Sequence, residues 1–138
     1  MGTAQQAIVD ATAYVKDRQQ FNSAISEFQH TQFQIADMLT ELVASRQMIR
    51  LAASKLDNGD PNASTYCAMA KHFATDAGFN VCNDALQLFG GYGYIREYPM
   101  ERYVRDTRVH QILEGTNEIM RVIISRQALM DGALEVIQ

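Results

Sequence analysis

Apolar residues recur every three or four positions along most of this chain, and no segment sustains the alternation of apolar and polar residues that marks a strand. Ala7, Ile8, Ala11, Tyr14 and Val15 predict a first helix from about Thr3 to Asp17. The polar stretch Arg18-Gln19-Gln20-Phe21-Asn22-Ser23 follows, where Asn and Ser favour a turn. A long second helix, about Glu27 to Leu56, is expected to bury a stripe of Phe33, Ala36, Leu39, Val43, Ile49 and Ala53, broadened by Leu42 and Leu51. Asp57-Asn58-Gly59-Asp60-Pro61 stops it. Tyr66, Met69, Phe73, Ala77, Val81, Ala85 and Leu88 place a third helix over about Ala63 to Phe89, ending at Gly90-Gly91. Pro99 suits the first turn of a shorter helix from about Tyr98 to Gln111, and Thr116 or Asn117 can cap the last one. Long helices with short connections imply antiparallel neighbours. The expected fold is therefore all-α, an antiparallel four-helix bundle with an extra short helix, in one domain of residues 1–138.

Composition agrees with a packed core: 47% of residues are hydrophobic and 20% charged. No run of about 20 apolar residues exists, so no membrane span is expected. Met1-Gly2-Thr3-Ala4-Gln5-Gln6 lacks the basic-then-apolar order of a secretory leader, and Gln6 stands where a myristoylation signal needs Ser or Thr. A net charge of −4 and a pI near 5.3 give no electrostatic reason to expect nucleic acid as a partner. Six arginines (Arg96, Arg102, Arg105, Arg108, Arg121 and Arg126) crowd the C-terminal part, either to meet a phosphate-bearing ligand or as a solvated face. Cys67 and Cys82 share one helical pattern, roughly 22 Å apart at the helical rise, too far for a disulfide. Reduced thiols are expected.

Gly90-Gly91-Tyr92-Gly93 follows a helix rather than a strand and fails the dinucleotide-binding spacing. Two readings stand for it: a helix terminus, or backbone that lets a ligand or another chain come close. Glu27-Phe28-Gln29-His30 matches half of a di-iron signature, but no second copy exists and no metal site is expected. His72 and His110 are isolated. Glu114, beside Gly115 in the break before the last helix, is the best candidate for a general base. A carboxylate at that place is also favoured by the helix dipole alone.

Spaced motifs then agree with one family. Gln87-x-x-Gly90-Gly91-x-Gly93-Tyr94, followed by Glu97, Arg102 and Asp106, resembles the C-terminal signature of the acyl-CoA dehydrogenases. Ile112-Leu113-Glu114-Gly115-Thr116 resembles their catalytic-base segment, and Arg18-Gln19-Gln20-Phe21 their flavin-contact loop, with Asn22 in place of the usual Gly. Tyr66 to Asp76 and Val109 to Gly115 look most like the isobutyryl-CoA dehydrogenase branch.

The resemblance implies FAD as cofactor and a short or branched acyl-CoA as substrate. Glu114 would take the α-proton while the β-hydride goes to the flavin, leaving a 2,3-enoyl-CoA. Leu113 and Gly115 would flank the substrate. Arg18, Gln20, Phe21, Gln29, Gln87 and Gly91 would reach the FAD of a neighbouring subunit, and Thr116 and Glu118 that of their own. Glu118 departs from the commoner Gln. The family also implies a homo-oligomer, dimer or tetramer, and electron-transferring flavoprotein as acceptor. The expected compartment is the cytoplasm of a bacterium or the mitochondrial matrix of a eukaryote. In the family an N-terminal helical domain and a middle β-domain precede this bundle, so the 138 residues by themselves are expected to show little turnover. A stand-alone helical interaction module and an acyl-CoA oxidase-like relative are the alternatives.

Overall fold

The computed structural model describes residues 1–130. Within them the chain is all-α apart from one small hairpin. Helix α1 (Gly2–Asp17) ends where Arg18 turns extended. Strands β1 (Gln19–Gln20) and β2 (Ser23–Ala24) then pair antiparallel, with Gln20 opposite Ser23. The two residues between them, Phe21 and Asn22, have φ of 53° and 63°. Two left-handed residues in succession make the hairpin turn whose twist suits its strands, and Asn tolerates that conformation better than other non-glycine residues. Strands of two residues are too short to show alternation, so sequence periodicity passes over them.

A 3-10 turn (Ile25–Glu27) leads into α2 (Gln29–Asp57). Helix α3 (Ala63–Phe89), a single turn α4 (Gly91–Tyr94), α5 (Met100–His110) and α6 (Asn117–Ala128) complete the described chain. Pro99 sits at the N-cap of α5 and Thr116 at that of α6, where its hydroxyl accepts from the Ile119 amide at 3.4 Å.

Helix α3 is the axis of the bundle, in contact with α1, α2, α5 and α6. Its buried face is built mostly of small residues, including Ala68, Ala70, Ala74, Ala77, Gly78 and Ala85, which let four neighbours approach one helix closely. Around it the core collects Ile8 and Val15 of α1, Met38 and Leu42 of α2, Val81, Cys82 and Phe89 of α3, and Met100 of α5. The stripes predicted for α1 and for the second half of α3 are the buried ones.

The stripe predicted for α2 is not. Phe33, Leu39, Val43, Ile49 and Leu51 are exposed, and the helix instead buries Thr31, Met38, Ser45 and Ala52 at seven-residue spacing, with Leu42. Two apolar stripes compete on this helix, and α3, being small-faced, takes the slimmer one. Cys67 and Cys82 are free, and burial pushes the Cys82 thiol up. Among the described residues no helix is long and apolar enough to cross a membrane.

Candidate functional site

Where α1 ends, α2 begins and α3 stops, the three leave a cavity of about 670 Å³. Arg18, Gln20, Gln87 and Gly91 line it together, with His30 and Gln34 from the first turns of α2. Arg18 lies over the Tyr92 ring, 5.6 Å from its centroid. That ring belongs to a cluster in which Tyr14 stacks on Phe89 at 4.2 Å and Tyr98 meets both edge-on. Among the described residues no carboxylate pairs with Arg18, so its charge is available to a ligand.

Phe21 and Gln29 do not line this cavity. Phe21 is at the hairpin tip, 89% exposed against an edge of Phe28, and Gln29 is exposed at the start of α2.

The glycine run divides between the two readings. Gly90 closes α3 at φ 58°, ψ −136°, a conformation that side chains resist. Gly93 is buried, and a Cβ there would lie 2.5 Å from the Leu86 carbonyl oxygen. Both are demanded by the fold. Gly91, beside Gly90 on the cavity wall, carries neither constraint. Its φ is not positive, and nothing lies within 4 Å of the place its Cβ would take.

The second group of residues forms the junction of α5 and α6. Leu113 and Glu114 are exposed, and Glu114 has φ 55°, followed by Gly115 at φ 92°. A left-handed glutamate is uncommon, because its Cβ crowds the carbonyl, and such strain concentrates where a side chain must point in a set direction. The surrounding hydrogen bonds hold it there. Lys71 Nζ donates to the Gly115 carbonyl and to Asn117 Oδ1, both at 2.7 Å. Asn117 is 3% exposed. Its Nδ2 donates to Asp76 Oδ1 at 2.7 Å and Thr75 Oγ1 at 2.9 Å. Gln111 Nε2 donates to the same Asp76 oxygen at 2.6 Å, and the Gln111 carbonyl accepts from the Asn117 amide at 3.0 Å. Sequence reasoning misses Lys71, Asp76, Gln111 and Asn117 as a group. Asn at the first position of a helix, where Asp or Glu is the common choice, is the available signal.

Glu118 follows in the first turn of α6. Hydrogen bonds from its own amide and from the Thr116 hydroxyl hold its carboxyl below the usual range, with Arg121 and Arg108 adding to the effect. The other arginines lie mostly along helix faces: Arg105 pairs with Glu101 at 3.1 Å and Arg108 donates to Gln111 at 2.9 Å. Glu27 falls in the 3-10 turn while His30 is in α2, so the two do not project from one helix. Among the described residues no three His, Cys, Asp or Glu side chains are grouped to hold a metal ion.

Lys71 and Gln87 are sixteen positions apart on α3, about 24 Å at the helical rise. The Arg18 cavity and the Glu114 loop are thus two separate candidate sites on one rod.

A sequence profile described as "Acyl-CoA dehydrogenase, C-terminal domain" matches residues 1–129. The chain belongs to the acyl-CoA dehydrogenase family. It is 56% identical over 131 residues to the mitochondrial isobutyryl-CoA dehydrogenase of Dictyostelium discoideum, covering 95% of this chain and 32% of that protein. Butyryl-CoA dehydrogenase from Megasphaera elsdenii superposes with a TM-score of 0.89 at 40% identity, over 94% of this chain and 33% of the other. The FAD complex of PigA does so at 0.85 and 32%, over 91% and 32%. The chain spans about a third of the length of each of these relatives.

Acyl-CoA dehydrogenases are flavoproteins, and the residues here fit a flavin dinucleotide at one candidate site. Arg18 without a carboxylate partner, the amides of Gln20 and Gln87, and the open side of Gly91 suit an anionic pyrophosphate. At α6 the N-terminus is already met by the Glu118 carboxylate. As an ionised acceptor Glu118 suits a hydroxyl or amine donor, not a phosphate.

Proposed function

We propose that this chain is the C-terminal domain of an FAD-dependent acyl-CoA dehydrogenase acting on a short or branched acyl-CoA, with Glu114 as the base that takes the α-proton. The observation that carries this reading is the left-handed Glu114 in a loop tied down on both sides, with its own carboxylate left exposed. FAD, when bound, supplies the acceptor for the β-hydride, and the thioester leaves as a 2,3-enoyl-CoA. The α-proton leaves carbon as the hydride leaves its neighbour, and the Glu114 carboxylate becomes a carboxylic acid. A carboxylate suits the task because it accepts the proton directly at an oxygen and holds it as a carboxylic acid. Leu113 and Gly115 flank the reacting carbons.

The spacing of the two candidate sites supports a homo-oligomer in which Arg18, Gln20, Gln87 and Gly91 serve the cofactor of a neighbour, with Phe21 and Gln29 approaching it from the hairpin and α2. Thr116 and Glu118 serve their own subunit's cofactor through its hydroxyls. Electron-transferring flavoprotein is the proposed acceptor of the electrons. The branch likeness favours isobutyryl-CoA or a similar thioester.

A chimera carrying these 138 residues in place of the C-terminal third of the Dictyostelium relative tests the reading. It should bind FAD and oxidise isobutyryl-CoA. Glu114→Gln in it should abolish turnover and leave FAD bound, since the amide cannot take a proton. Turnover retained by Glu114→Gln removes the assignment.

A further inference from the structure

Lys71 is an unusual component of the bundle. It projects from the first half of α3 and is half-buried, yet among the described residues it forms no ion pair. Both its hydrogen bonds go to the short chain between α5 and α6: one to the Gly115 carbonyl, one to Asn117 Oδ1, each 2.7 Å. Charge-assisted bonds of this length are about twice as strong as neutral ones. Holding an ammonium half out of water with only two neutral acceptors makes sense if those acceptors need to be fixed.

The segment it fixes carries a left-handed glutamate. Glu114 and Gly115 are both left-handed, at φ 55° and 92°, and a Cβ on Gly115 would lie 2.8 Å from Met120 Cε. The far side is fastened separately, through Gln111 and Asn117 to the same Asp76 oxygen. The loop is therefore closed by an anion at its two ends and a cation under its centre, both supplied by α3. Glu114 is the residue that this leaves projecting.

Resting on the reading of Glu114 as base, we propose that Lys71 is a positioning residue for it. Its ammonium, with Asn117 and Asp76, clamps the Gly115 carbonyl and so holds the Glu114 carboxylate in the direction of the α-carbon. Lys71 does not touch the reacting atoms. Its contribution is geometric, and a shift of about 1 Å at a reacting group lowers rate about a hundredfold.

Two measurements test this. Hydrogen exchange on the 138-residue chain compares Lys71→Met with the parent. The clamp predicts that the Asn117 amide, bonded to the Gln111 carbonyl, exchanges about tenfold faster, while core amides of α1 are unchanged. Uniform acceleration, or none, overturns the proposal. In the chimera, Lys71→Met should lower kcat about a hundredfold with KM and FAD affinity within about twofold of the parent, and Lys71→Arg should recover most of the loss by restoring a cation to the carbonyl. A kcat unchanged by Lys71→Met, or a parallel loss of FAD, also overturns it. If the parent chimera itself fails to oxidise any acyl-CoA, the dehydrogenase reading fails, and the exchange result still decides the clamp.

Discussion

Ser45 shows how tightly single positions in this bundle are specified and where they are not. Its side chain is fully buried in α2 and its hydroxyl has no partner among the described residues. A buried hydroxyl without a hydrogen bond costs about 1–3 kcal/mol, and alanine fills nearly the same volume. Ser45→Ala should raise stability by about 1 kcal/mol, read as a higher denaturant midpoint at unchanged slope. A drop in the midpoint would mean that the hydroxyl has a role the fold does not show. Gly93 is the opposite case. Its Cβ position meets a backbone carbonyl, which cannot move aside as a flexible side chain can. Gly93→Ala should destabilise by more than about 2 kcal/mol, whereas Gly91→Ala, facing open space, should change stability by less than about 0.5 kcal/mol and weaken FAD binding instead. Equal effects at the two positions would erase the distinction between fold glycine and ligand glycine.

At the scale of elements, the seam between α2 and α3 carries a pH response. Burial raises the Glu41 carboxyl, with Asp84 and Asp37 adding repulsion, and burial raises Asp84, with Asp37 adding to it. Because both folded values exceed the unfolded ones, the stabilisation from these groups is full below the ordinary carboxylate range and is lost as pH rises through the folded values. Asp84→Asn should therefore be more stable than the parent at pH 7, with the advantage vanishing below about pH 4, in thermal melts across pH. An advantage independent of pH would place its origin elsewhere.

The elements themselves are legible in the sequence to different depths. Helix α1 and the second half of α3 are readable because one stripe there faces the core, while on the first half of α3 Phe73 is exposed; the cap of α6 is readable to within one residue, because Thr116 and Asn117 are both capping types. Helix α2 misleads because it carries two stripes, and only the small face of α3 decides between them. The β1–β2 hairpin escapes notice because two-residue strands have no period. Glu114 stands out as a candidate by residue type and neighbourhood, but the network beneath it does not. Lys71, Asp76, Gln111 and Asn117 are brought together across some forty positions by the packing of α3 against the α5–α6 junction.

At the scale of the whole molecule, the two candidate sites about 24 Å apart on α3 set what each can be asked. The Arg18 cavity should bind FAD by its phosphates, so Arg18→Ala should weaken FAD binding about tenfold or more and reduce its sensitivity to salt, leaving the Glu114 loop unaltered. Titration with the dinucleotide at two ionic strengths checks this, and unchanged affinity would show that the cavity serves something else. The exposed face of α2, with Phe33, Val43 and Leu51 outward, offers apolar surface that association of copies would cover, as the proposed sharing of cofactor sites between subunits requires.

The aromatic cluster behind Arg18 also makes this domain optically self-reporting. The chain has no tryptophan and six tyrosines. Three of them, Tyr14, Tyr92 and Tyr98, sit in one cluster beside the cavity. Intrinsic emission is therefore tyrosine emission alone, weighted towards a single place. A dinucleotide settling over Arg18 would dim it directly, and the arrival of the cofactor can be followed by light in the unlabelled protein.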